Sequence, residues 1–172
     1  VPVSILTYKG QYMSRGSLEV TPDSVVVAGD PYLLESVKQV YTTPIRHLDI
    51  SENVSGLTGI EPIKGVDIQA RDVYYSIDVV RYVEFVSDAH VEAANVPAGK
   101  ALMIFPSVAT LRMRCEFPLM DETEGQQTLY VDYNDFKESV GGHCPVRVKN
   151  LPKGVLSYEV EPVSVRCVEE SR

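Results

Sequence analysis

Hydrophobic and polar positions in this chain fall mostly into short alternating runs. ATLRMRC at 109–115 is the clearest. Ala109, Leu111, Met113 and Cys115 share one parity, and Thr110, Arg112 and Arg114 share the other. A period of two predicts a strand with one buried face. VPVSILTY at 1–8 alternates more weakly and predicts another strand. SVVVAG at 24–29 is a continuous apolar run closed by Gly29, which predicts a short buried strand. RHLDIS, IEPIKGVDIQARDVYYSIDVVRYVEF, ALMIF, TLYVDY, CPVRVKNLP and VLSYEVEPVSVRCVEE predict further strands, punctuated by Gly, Pro and Asp. One stretch has a different period. In 31–41, Leu33, Leu34, Val37, Val40 and Tyr41 follow helical spacing behind Asp30-Pro31 and ahead of Pro44. Asp at the cap and Pro at the first helical position predict a helix whose apolar stripe faces the first half's core.

The same devices recur further along. TPDSVVVAGD at 21–30 and FPSVATLRM at 105–113 both place a proline and a small polar residue ahead of an apolar strand. V-R-x-V-E occurs at 80–84 and 165–169, Asp49 in LDIS matches Asp132 in VDYN, and Pro22 matches Pro106, with offsets of 83–85 residues. Nearly constant spacing predicts an internal duplication, with modules at 1–86 and 87–172. At the second helix position the text is PLMDETEGQQ, with Gly125 and few periodic apolars, so that helix is expected to be shortened or lost. SDAH at 87–90 is too short for a flexible tether, which restricts the modules' relative orientation. The expected fold class is therefore mainly β, with one short helix in the first module.

Composition agrees with a folded β chain. Of 172 residues, 44% are hydrophobic, so a core can form. The net charge of −8 is spread over both halves. With no basic stripe to neutralise phosphates, nucleic acid and anionic lipid headgroups are poor partners. The chain starts at Val1 and holds no apolar run of about 18 residues. A processed chain and a fragment trimmed of its targeting or anchoring segment fit this equally.

These modules resemble the YbbR domain family, whose repeats run strand, Pro turn, Val-rich strand ending in Gly, short helix, L-D-L/I strand and closing V-x-V strand. The matching text is TPDSVVVAGDPYLLESVKQVYTTPIRHLDIS with VYYSIDVVRYVEF in the first module. In the second it is NVP at 95–97, FPSVATLRM, LYVDYND and PVRVKNLP, where the Val-Gly strand end and the helix depart from the pattern. The resemblance implies a non-enzymatic, extracytoplasmic protein, anchored by an amino-terminal transmembrane helix outside this sequence. It also implies a protein partner, with a membrane-bound diadenylate cyclase, which makes cyclic di-AMP, as the one known for some members. It brings no catalytic, cofactor or metal residues.

The residues themselves offer little chemistry. His143 and Cys144 are adjacent, and Cys115 and Cys167 lie in the same module. Their spacings match no zinc pattern, and neighbours on a strand point to opposite faces, so neither a shared metal nor a His-activated thiol is expected. Structural thiols are expected instead, with oxidation of one pair left open. Asp121-Glu122-Thr123-Glu124 reads as a solvated loop rather than a calcium site. Asp49 and Asp132 are expected to accept backbone N–H groups at turns. Gly56, Gly59 and Gly65 form no phosphate loop. Asn53-Val54-Ser55 fits a glycosylation triplet too common to use. Tyr8, Tyr12, Tyr41, Tyr74, Tyr75, Tyr82, Tyr130, Tyr133 and Tyr158 read as core or interface-edge residues, although exposed tyrosines could line a carbohydrate surface. No catalytic, cofactor-binding or metal residue is assigned and no cofactor is expected. An interaction module leads, a cell-envelope glycan-binding β module is the alternative, and a small hydrolase comes last for want of a nucleophile–base pair.

Overall fold

The computed structural model describes residues 1–120 and 126–171. The fold is mainly β: strands hold 57% of the described residues and helices 6%. It divides into two compact units, Val1–Arg81 and Tyr82–Arg172. The division falls five residues before the expected one. Residues 87–90, read from sequence as a join, lie inside a long strand.

The first unit contains β1 (Ser4–Tyr8), β2 (Tyr12–Ser14), β3 (Glu19–Thr21), β4 (Val27–Gly29), α1 (Pro31–Leu34), β5 (Ile45–Ile50), β6 (Val54–Gly59), β7 (Val66–Ile68), β8 (Asp72–Ile77) and the start of β9 (Val79–Ala94). β1 and β5 are parallel. β3, β8 and β6 form an antiparallel sheet in that order, and β4 pairs with β7. β2 pairs with residues 79–81 of β9. β8 shows why the chain folds this way. Val73, Tyr75 and Ile77 are buried while Asp72 and Tyr74 face out, a strict period of two. Ile50, Ile77 and Val79 form a small core, backed by Leu6, Tyr8, Tyr12, Leu18 and Val54.

Two expectations fail here. The helix covers only Pro31–Leu34, not 31–41, and buries no residue. Asp30 does cap it, accepting from Tyr32 N at 2.9 Å. One turn gives too few bonds to outweigh the cost of nucleation, and Leu33 and Tyr32 have no core to cover. SVVVAG is likewise shorter than expected and only half-buried, with Val26 exposed.

The second unit holds the rest of β9, then β10 (Lys100–Phe105), β11 (Val108–Glu116), β12 (Thr128–Asp132), α2 (Tyr133–Glu138), β13 (His143–Pro145), β14 (Arg147–Lys149), β15 (Val155–Glu161) and β16 (Ser164–Ser171). One sheet runs β14-β12-β9-β11-β15, and another runs β10-β16-β13. β9 and β12 are parallel, and the other pairs are antiparallel. β11 buries Ala109, Leu111, Met113 and Cys115, as its alternation predicts. These pack with Val91, Leu129, Val131, Cys144, Val165 and Cys167 in one core drawn from both sheets.

TLYVDY does not continue as a strand. It stops at Asp132, which caps α2 by accepting from Asn134 N at 2.8 Å. The second unit's helix therefore follows β12. The stretch 118–127, where a shortened helix was expected, lies partly outside the described residues.

Candidate functional site

The residues weighed from sequence are mostly dispersed. On β13, Cys144 is fully buried and His143 is exposed, so strand alternation separates them. All three cysteines are free and buried in the second unit's core. Burial raises the Cys115 thiol pKa. Cys167 is pushed up to about 12, first by burial and then by its hydrogen bond with Cys144.

The paired aspartates have different roles. Asp132 accepts from Asn134 N and, at 2.8 Å, from Asn95 Nδ2. The backbone bond from Asn134 holds its carboxyl below the usual range. Asp49 instead sits in the left-handed region at φ 53, and its own N–H donates to Thr7 Oγ1 at 3.2 Å. It is therefore a donor through its backbone, where an acceptor was expected. Asn53 Oδ1 accepts from Val79 N at 2.8 Å, tying the start of β6 to β9. Gly56 has a packing role: a Cβ there would meet the Tyr75 hydroxyl at 2.8 Å. Asp121-Glu122-Thr123-Glu124 lies outside the described residues. Among the described residues, no group of three or more His, Cys, Asp or Glu could hold a metal.

Sequence reasoning missed three polar clusters. Tyr133, buried at the start of α2, donates to Glu169 on β16, and Lys100 on β10 donates to both, at 3.2 Å and 3.3 Å. The Tyr133 hydroxyl, then Lys100, hold the Glu169 carboxyl down, while Tyr133 and Glu169 raise the Lys100 ammonium. On the exposed face of β9 and β11, Glu84 accepts from Arg112 and Arg114, and Arg112 is the larger cause of its lowered pKa. In the first unit, His47 Nε2 lies 2.8 Å from the Tyr75 hydroxyl. No motif marks these clusters, because their members come from distant strands. Each joins side chains from different elements, which ties those elements together.

The other feature is apolar. On the outward side of β3-β8-β6, Leu57 lies directly opposite Tyr74, and they are 71% and 47% exposed. On the outward side of β10-β16-β13, Met103 lies opposite Val168, at 41% and 42%, with Phe105 exposed next along β10. Strand parity sets both pairs. Buried Val73, Tyr75, Val165 and Cys167 fill the alternate positions, so Tyr74 and Val168 must face out. The first unit also has a groove of about 290 Å³ lined by Val20, Pro22, Val25, Tyr41, Ile60 and Val73 among others. Of the tyrosines named above, Tyr41, Tyr74 and Tyr158 are exposed, and Tyr75 and Tyr133 are buried. The chain matches no family, curated protein or solved structure with which it was compared.

Proposed function

We propose that this chain is a non-enzymatic, extracytoplasmic interaction module of a membrane-anchored YbbR-like protein, and that it regulates a membrane-bound diadenylate cyclase. One observation carries the binding part: each unit exposes a directly opposed apolar pair on a three-stranded sheet, Leu57 with Tyr74 and Met103 with Val168. Adjacent exposed apolar side chains on a sheet face offer a surface that a partner can cover, and aromatic and Met side chains suit protein partners. The uniform negative charge supports a protein partner over nucleic acid or anionic lipid. The partner's identity follows from the resemblance in the repeated motifs.

The test is genetic and direct. In a host that encodes such a cyclase, deletion of the gene should change cellular cyclic di-AMP, and the anchored wild-type protein should reverse the change. A chain carrying Leu57→Lys and Tyr74→Lys should fold, by circular dichroism, yet fail to reverse it. An unchanged cyclic di-AMP level on deletion removes the cyclase from the reading. Capture of envelope glycan but no membrane protein by the purified chain replaces the protein partner with a carbohydrate.

A further inference from the structure

The second unit holds a thiol pair that the proposed partner binding does not use. β13 and β16 run antiparallel, with Cys144 opposite Val165. Cys167 N donates to Gly142 O at 2.7 Å, two pairs further along. Cys144 and Cys167 are therefore diagonal neighbours on one face, and both point into the core, at 0% and 3% exposure. The Cys144 thiol is near enough to contribute to the raised pKa of Cys167. The Cys144 thiol also donates to Gly142 O at 3.7 Å. Gly142 makes this approach possible: it sits at φ +75, and a Cβ there would lie 2.4 Å from Cys167 O. Cys115 shares the core but has burial as its only resolved perturbation.

Local opening of β13 would give the pair a route to solvent. β13 is three residues long and lies at the edge of its sheet, bonded along β16. Pro145 has no N–H to contribute, and Gly141 and Gly142 precede the strand with positive φ. Short edge strands open locally at a small fraction of the global unfolding free energy.

We propose that Cys144 and Cys167 form a reversible dithiol–disulfide couple, oxidised by a low-molecular-weight disulfide such as oxidised glutathione. When β13 opens, Cys144 Sγ, as its thiolate, attacks one glutathione sulfur. The glutathione S–S bond breaks, and one glutathione thiolate leaves and takes a proton. Cys167 Sγ loses its proton to solvent, attacks Cys144 Sγ and expels the second glutathione. Two protein thiols are oxidised, and one disulfide is reduced to two thiols. A diagonal cross-strand pair spans about 7–8 Å between Cα atoms. A disulfide spans about 4.4–6.8 Å. Oxidation must therefore draw β13 along β16 by about 1 Å, which repositions the Gly141–Gly142 turn.

The experiment uses the folded full chain in glutathione buffers of graded oxidised-to-reduced ratio, quenched with a thiol-alkylating reagent and mapped by mass spectrometry. The expected result is the loss of two thiols in a monomer, a Cys144–Cys167 linkage and an alkylated Cys115. Cys115→Ala should oxidise as the wild type does. Cys144→Ala and Cys167→Ala should stop at one bound glutathione or none. A linkage that includes Cys115, or a disulfide-linked dimer, overturns the proposal. So does a folded chain that keeps three free thiols in a buffer that oxidises the urea-unfolded chain.

Discussion

At the residue scale, Gly142 and Cys167 make the sharpest claims. An alanine at 142 would be left-handed and would press its Cβ into the Cys167 carbonyl, a backbone atom that cannot swing aside. Gly142→Ala should cost about 1–3 kcal/mol in urea unfolding, whereas Gly10→Ala, with open space around it, should cost far less. Equal midpoints would refute this. Cys167 adds a pH signature. Its folded value, about 12, lies above the ordinary 9.0, so the folded state holds the proton more tightly. That stabilisation is fully present below about pH 9 and is lost as pH rises through about 12. In reducing buffer, the stability advantage of wild type over Cys167→Ala should therefore shrink between those values. An advantage that stays constant across that range would contradict it. Little of this was legible in the sequence. The separation of His143 from Cys144 followed from strand parity alone. The contact of Cys144 with Cys167 needed the β13–β16 register, which links segments over 20 residues apart and has no local signal.

At the element scale, β11 and α1 mark the two extremes of legibility. The alternation of ATLRMRC was a full description of β11, because a strand buried on one face repeats every two residues whatever its neighbours. Helical spacing at 31–41 was misleading, because apolar residues at i and i+3 or i+4 form a helix only when a surface exists to bury them. Here they do not find one. Leu33 is exposed, and Leu34 and Val37 are only half-buried. The consequence is measurable. Leu111→Ala removes a side chain 2% exposed and should cost about 2–5 kcal/mol. Leu34→Ala removes a half-buried one and should cost about 1 kcal/mol or less. Comparable losses would mean that 31–41 packs as the sequence pattern first implied. α2 was missed for the opposite reason. Its six residues carry too short a period to read, and its signal was the cap itself, Asp132 two residues before Asn134.

At the scale of the whole molecule, the two units share a set of pairings. Parallel β1–β5, the sheet β3-β8-β6 and the pair β4–β7 in the first unit match parallel β9–β12, the sheet β10-β16-β13 and the pair β11–β15 in the second. Two of the sequence landmarks fall at matching places: Pro22 and Pro106 follow β3 and β10, and Asp49 and Asp132 lie at the ends of β5 and β12. The third does not. The first V-R-x-V-E falls on β9 across the division at Arg81 and Tyr82, and the second falls on β16, yet it is β8 whose pairings match those of β16. A five-residue β-strand motif recurs too easily to fix an equivalence, and pairing is the stricter criterion. The matched units differ in what they bury. The second gathers Leu111, Met113, Leu129, Val131, Val165 and three cysteines into one core, whereas the first buries Ile45, Ile50, Val73, Tyr75, Ile77 and Val79, with Ile50, Ile77 and Val79 as a smaller cluster, and pairs several three-residue strands. Buried apolar surface is the main term favouring the folded state, so the same topology should be less stable in the first unit. Native-state hydrogen exchange should therefore separate them. Amides of β11, β12 and β9 beyond Tyr82 should exchange at the slowest, global rate, while those of β4 and β7 exchange through local opening. Uniform protection across both units would mean that they unfold as one, and that the smaller core is held by something other than its own side chains.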